Sequence, residues 1–229
     1  MSGHKNILVI EDQTLVRDLL ADVCRSVLPT AEIMTAHDGA SGRVAYRARR
    51  PDLVLLDLGL PDADGLELLS ELLRPGTGLK VIVFSGYIDE FTIHCAVRLN
   101  VHGMIDKNEQ PLAALKEAVL QVLAGETYFS PAARRIQARL RADPVAFNKL
   151  LSDREQEMLG LFGRGMGNEE VANLYHLSVH TVKIHRRNIM GKLNLHSTPH
   201  LIRYALDKGF VRAGRMLAPS DLGLSSASA

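Results

Sequence analysis

Through its first half the chain alternates short, almost purely apolar runs with longer amphipathic stretches, the pattern of a parallel sheet covered by helices on both faces. Five strands are predicted: Asn6 to Ile10, Glu32 to Ala36, Leu53 to Asp57, Lys80 to Phe84 and Gly103 to Asp106. Helical patterns such as Leu15 to Val27 and Leu112 to Leu123 separate them. The expected fold is therefore α/β, a doubly wound five-stranded parallel sheet. Ligands of such sheets bind beyond the carboxyl ends of the strands. Glu11, Asp12, Asp57, Ser85 and Lys107 fall at or just after those ends.

The second half reads differently. Gly125 to Lys149 mixes turn residues with a basic helical pattern, Pro131 to Arg141, introduced by the cap and first-turn pair Ser130-Pro131. From Leu151 onward four short helices are expected and no strand. Ser152 to Glu155 forms a capping box at the first, Asn168 and Ser178 cap the second and third, and the fourth runs from near Thr198-Pro199 to Lys208. This divides the chain into residues 1–124, a partly helical linker 125–149, an all-α domain 150–212 and a tail 213–229. The tail lacks the apolar periodicity that would order it.

Charge divides the same way. Residues 1–125 hold 12 Lys and Arg against 17 Asp and Glu, a net of −5, whereas residues 126–229 hold 15 against 9, a net of +6. One half suits a cation and the other a polyanion. No apolar run approaches the ~20 residues of a membrane span, and the first, Ile7 to Ile10, ends at Glu11 and Asp12. Cys24 and Cys95 have no CxxC partner, which argues against a disulfide framework and for a cytoplasmic protein.

Three carboxylates converging on one sheet edge repel each other unless a hard cation sits among them. Mg²⁺ accepts such ligands and leaves positions free for a phosphoryl oxygen. Asp57 then suits a nucleophile that forms an acyl phosphate, with Lys107 offsetting the developing charge and the Ser85 hydroxyl reaching a phosphate oxygen. The ordered set, together with Asp57-Leu58-Gly59-Leu60-Pro61-Asp62-Ala63-Asp64-Gly65, resembles the flavodoxin-like receiver domain of two-component response regulators and its D-x-x-[ML]-P-x-x-[DG]-G loop. The resemblance implies that Asp57 accepts a phosphoryl group from a sensor histidine kinase. It also implies Mg²⁺ held by Glu11, Asp12, Asp57 and the Gly59 carbonyl, with Ser85 and Lys107 on the phosphoryl group. Met104 stands where receivers often carry a switch Tyr or Phe, and Asn108 replaces a frequent Pro after the lysine.

Between Glu170 and Asp207 there is no acid, while Lys183, Arg186, Arg187, Lys192 and Arg203 lie within that window. The helix from Val179 to Leu193 turns Val182, Ile189 and Leu193 toward a core and Lys183, Arg186, Arg187 and Met190 largely away from it. A cationic helix face is what a DNA major groove requires. Leu151 to Glu155, Asn168 to Ala172 and Leu177 to His185 together resemble the LuxR-type helix-turn-helix. The resemblance implies a recognition helix beginning near Ser178, with Lys183, Ile184 and Arg187 toward base edges and Arg186 and Lys192 toward phosphates. Gly167 stands where that family often has Ser or Thr. Five histidines between His176 and His200 read as polar or DNA-facing residues, because neither cysteine nor acid accompanies them. Gly163-x-Gly165-x-Gly167 follows a helix and lacks the trailing Lys-Ser/Thr of a phosphate loop, so it marks a turn.

A receiver joined to a LuxR-type helix-turn-helix is the layout of NarL/FixJ-type response regulators. That resemblance implies a transcriptional regulator whose phosphorylation at Asp57 releases a restrained DNA-binding domain and favours a homodimer on paired half-sites of double-stranded DNA. A Mg²⁺-dependent phosphohydrolase is disfavoured, since Asp57 lacks the D-x-D pattern of aspartyl phosphatases and no cap segment is present. Lys183, Ile184 and Arg187 argue against an adaptor that has lost DNA binding.

Overall fold

The computed structural model describes residues 5–74, 76–108 and 111–211. The tail 213–229, expected to lack order, lies outside the described residues. The chain forms two compact units, one of residues 5–88 and 95–135 and the other of residues 89–94 and 136–211.

The first unit begins β1 (Asn6–Ile10), α1 (Thr14–Val27), β2 (Glu32–Ala36), α2 (Gly39–Arg49), β3 (Leu53–Leu56), α3 (Gly65–Leu72) and β4 (Lys80–Ser85). After α4 (Glu90–Arg98) come β5 (Gly103–Asp106), α5 (Pro111–Ala124) and β6 (Tyr128–Phe129). All strand pairs are parallel, in the order β2-β1-β3-β4-β5-β6. The expected five strands are present, but the sheet has six. Tyr128 and Phe129 add an edge strand beside Gly103 and Met104, and two residues are too few to register as a strand periodicity.

Alternate residues of each strand face opposite ways. Ile7, Val9, Leu53, Leu55, Ile82, Phe84 and Ile105 pack with Leu20, Val23 and Cys24 of α1 and with Leu115, Ala118, Val119 and Val122 of α5. Leu8, Ile10, Val54 and Leu56 are equally inaccessible on the other face, where Gly42 of α2 lies directly against Ile10. Burial on both faces explains the uninterrupted apolar runs. Both cysteines are free thiols, and burial pushes the Cys24 thiol up to about 12.

The segment 125–149 contains β6, α6 (Pro131–Ala142) and α7 (Phe147–Leu150). Four further helices follow: α8 (Asp153–Gly163), α9 (Asn168–Tyr175), α10 (Val179–Lys192) and α11 (Thr198–Asp207). Their core holds Met158, Leu159, Phe162, Val171, Ala172, Val182, Ile189, Leu201 and Ala205, and α8 packs on both α10 and α11. Three N-caps supply side-chain oxygens. Ser152 and Glu155 form the capping box of α8, Ser178 accepts from Thr181 N–H, and Ser197 accepts from His200 N–H. The expected cap at Asn168 is corrected by one residue: Gly167 is the N-cap of α9 and Asn168 its first residue. Glycine has no oxygen to offer, so only the reciprocal bond exists, Gly167 N–H to Glu170 Oε2 at 2.6 Å. No helix among the described residues is long and apolar enough to cross a membrane.

Candidate functional site

The sheet ladder continues one residue past β1 and β3, with Glu11 N–H donating to the Ala36 carbonyl and Asp57 N–H to the Ile10 carbonyl. This fixes the backbone from which Glu11, Asp12 and Asp57 extend, and ligand atoms of the three carboxylates lie within 4.8 Å of one another. Among the described residues this is the one group of His, Cys, Asp and Glu that could hold a metal ion, and none of the five histidines noted above is part of it. At that separation or closer, each pair of full charges repels by at least about 3.5 kcal/mol in an effective dielectric of roughly 20.

Lys107 supplies one compensating charge. Its Nζ lies 2.7 Å from Glu11 Oε2 and 2.8 Å from Asp57 Oδ2, while its ammonium also sits 5.5 Å from the Phe84 ring centre. Burial disfavours the ammonium, but hydrogen bonds to Asp57 and Glu11 outweigh it and hold Lys107 above the usual lysine range. Burial pushes the Glu11 carboxyl up to about 7 against the Lys107 hydrogen bond, and the Asp57 charge adds to the rise. One ammonium against three carboxylates leaves a deficit of two positive charges, and the donors are all hard oxygens. The residues thus fit a divalent cation such as Mg²⁺.

The loop after β3 is shaped around Asp57. A β-carbon on Gly59 would lie 3.3 Å from Asp57 Oδ2 and 3.4 Å from Cε2 of Tyr87, so the chain passes close beside the carboxylate. Asp62 accepts from the N–H groups of Gly39 and Ala40 at the start of α2, and Asp64 caps α3 through Leu66 N–H. Ser85 is fully buried, and its Oγ accepts from Tyr87 N–H at 3.1 Å. Its carbonyl accepts from Lys107 N–H, tying the ends of β4 and β5. Met104 is also fully buried, within β5 and in register with Val83 of β4. Asn108 donates twice to Asp106 Oδ1 and so shapes the turn after Lys107. Sequence reasoning missed Arg17, whose guanidinium holds the Glu11 and Asp12 carbonyls at 2.9 and 3.3 Å, and Tyr87; neither belongs to a motif that would mark it.

The second unit presents α10. His176 ends α9 in the left-handed conformation, and Ser178 starts α10 two residues later, a tight helix-turn-helix. Lys183 and Arg187 are exposed and Ile184 is half-buried. Together with Arg186, Met190, Gly191 and Leu195, the two cations line a groove of 420 Å³. Arg186 is less free than the helical pattern suggested. It lies 4.7 Å over the Phe162 ring and donates to Asn168 Oδ1 and Thr198 Oγ1, and its burial lowers its pKa. Lys192 reaches back to both oxygens of the buried Glu155, at 2.8 and 2.7 Å.

A parallel-sheet unit with an acidic, lysine-bridged pocket, followed by a helix-turn-helix unit with a cationic helix, defines a signal-receiving module joined to a nucleic-acid-binding one. Residues 7–119 match the response regulator receiver domain, and residues 149–205 match the bacterial regulatory proteins of the luxR family. The chain is 31% identical to the oxygen regulatory protein NreC of Staphylococcus carnosus over 88% of its length and 97% of the relative. It is 28% identical to the response regulator protein VraR of Staphylococcus aureus over 90% and 98%. Its fold is similar to that of RcsB from Salmonella enterica serovar Typhimurium bound to promoter P1flhDC with the phosphomimetic BeF3−, with TM-score 0.63, 19% identity, and coverage of 88% of this chain and 98% of that one. The chain therefore belongs to the response regulators that join a receiver domain to a LuxR-family DNA-binding domain, and it is a DNA-binding regulator of transcription.

Proposed function

We propose that Asp57 is the phosphoacceptor and that its phosphorylation controls DNA binding by α10. The observation that carries this is the buried Asp57 carboxylate, held by Lys107 within an acidic trio at the carboxyl end of the sheet. Asp57 attacks the phosphorus of a phosphohistidine on a sensor kinase. The new carboxylate–phosphorus bond forms as the phosphorus–nitrogen bond to imidazole breaks, and imidazole leaves with the electron pair. Lys107 turns one N–H from the carboxylates to the incoming phosphoryl oxygens, and the Ser85 hydroxyl donates to another. Glu11, Asp12, Asp57 and the Gly59 carbonyl would hold Mg²⁺, which when bound neutralises charge on the phosphoryl group. Water later hydrolyses the acyl phosphate slowly, so the protein's own chemistry is confined to this bond.

In this reading residues 1–124 are the receiver, 125–149 the linker and 150–212 the DNA-binding domain. Lys183, Ile184 and Arg187 face base edges in the major groove. Arg186 and Lys192 brace α10 against its own unit, and each keeps N–H groups for a DNA phosphate. Phosphorylation favours a homodimer on paired half-sites. The test is incubation with a small acyl-phosphate donor and Mg²⁺, followed by intact-mass measurement. Wild type gains one hydroxylamine-labile phosphoryl group and Asp57→Asn gains none. Equal modification of both would overturn the assignment.

A further inference from the structure

The receiver unit is acidic, but its cations are not evenly spread. Five of the 12 Lys and Arg in residues 1–125 are Arg43, Arg47, Arg49, Arg50 and Arg74, and no acid occurs from Gly39 to Pro51. Between α2 and the end of α3 lies a cavity of 150 Å³ lined by Arg43, Tyr46, Arg47, Glu71, Arg74 and Thr77. Its single acid is already committed, because Arg43 Nε and Nη2 donate to the two Glu71 oxygens at 2.8 and 2.9 Å. Glu71 is held below the usual carboxylate range by the Arg43 hydrogen bond and by the charges of Arg43, Arg74 and Arg47 around it. The guanidinium groups of Arg47 and Arg74 are exposed and make no hydrogen bond or ion pair among the described residues. Thr77 Oγ1 accepts from Leu79 N–H and keeps its own proton to donate, and the Tyr46 hydroxyl has no partner among the described residues.

The lining thus offers a surplus of donors and no free acceptor charge. Among the lining residues alone, three arginines less one glutamate leave +2, the complement of a dianion, while Asp62 and Glu67 act on Arg43 from outside the lining, and guanidinium forks match the geometry of phosphate oxygens. The volume equals about five waters, room for a phosphoryl group with a short substituent and too little for a nucleoside. We propose that this cavity binds a small phosphate-class dianion, orthophosphate or a short-chain phosphomonoester. Bound there, it cross-links α2 to α3. Both helices hang from the 57–65 loop, since Asp62 accepts from the Gly39 and Ala40 N–H groups that open α2 and Asp64 from the Leu66 N–H in the first turn of α3. The proposal concerns a site separate from the acidic cluster and stands whether or not Asp57 is phosphorylated.

The experiment is calorimetric titration of the full chain, without Mg²⁺, at about pH 8 where the dianion dominates. Orthophosphate and glycerol 3-phosphate are compared at constant ionic strength in chloride. Saturable one-to-one binding is expected, weakened at least tenfold in Arg47→Ala/Arg74→Ala and recovered in part by Arg47→Lys/Arg74→Lys. The melting temperature of the alanine variant without phosphate should equal that of wild type, since both side chains are exposed. Lys183→Ala/Arg187→Ala should bind as wild type does. Absence of saturable binding, equal binding by the Arg47→Ala/Arg74→Ala chain, or loss confined to the Lys183→Ala/Arg187→Ala chain would overturn the proposal. So would binding of a phosphoserine peptide without any response to the free anions, which would reassign the cavity to a protein partner.

Discussion

Gly65 closes the loop that begins at Asp57, and a β-carbon there would meet the Leu58 Cα at 2.3 Å and its carbonyl oxygen at 2.6 Å. Backbone atoms cannot yield as a side-chain tip can. Gly65→Ala is therefore expected to cost about 1–3 kcal/mol, read as a lower midpoint in denaturant, and to slow phosphoryl acquisition. Gly86→Ala, whose β-carbon would meet only Asn108 Nδ2 at 3.9 Å, should melt like wild type. On α10 the basic residues should separate into two kinds. Arg187 is exposed, so Arg187→Ala should leave stability unchanged while costing about 1–3 kcal/mol of DNA affinity and relaxing sequence preference, as loss of a base-edge contact does. Lys192→Ala should lower stability as well, because it strands the Glu155 carboxylate, whose side chain is only 6% exposed. The 43% exposure of Lys192 keeps that loss below the roughly 3–5 kcal/mol of a fully buried pair. Thermal melts beside salt-dependent DNA titrations distinguish the two residues.

At the scale of elements, the Glu155–Lys192 pair joins the first turn of α8 to the last turn of α10. Burial alone would raise the Glu155 carboxyl, but hydrogen bonds from Lys192 and Ser152 hold it below its ordinary 4.5. A folded-state value below the unfolded one means that the folded unit binds fewer protons. Its stabilisation is present above pH 4.5 and is lost as the pH falls from there through the lower folded value. Glu155→Gln should accordingly melt below wild type at neutral pH, and the gap should narrow under acid. The elements legible in the sequence were those with a strong local signal. Short apolar runs marked β1 to β5, and Ser152, Ser178 and the Thr198-Pro199 pair marked helix starts, while the cap at Ser197 was not singled out. Tyr128–Phe129 and the single turn at Phe147–Leu150 are too short to show a period. The acids, Ser85 and Lys107 were legible because strand ends place them at one edge. The engagement of Arg186 with Phe162 was not, because the partner lies 24 residues away and a helical pattern shows only which residues share a face.

Across the whole molecule, the charge division of −5 and +6 suits each half to a different class of ligand, a divalent cation or a phosphate-rich duplex. The chain is a response regulator, and in the function proposed above its two chemistries meet in one link: modification of Asp57 changes how α10 binds DNA. The most direct measurement is genomic DNA capture by the purified full chain, with and without a small phosphodonor plus Mg²⁺, alongside Asp57→Asn and Lys183→Ala. Discrete sites enriched only with donor, and lost in both variants, are the predicted result. Enrichment of the same sites regardless of donor, with Asp57→Asn indistinguishable from phosphorylated wild type, would contradict it.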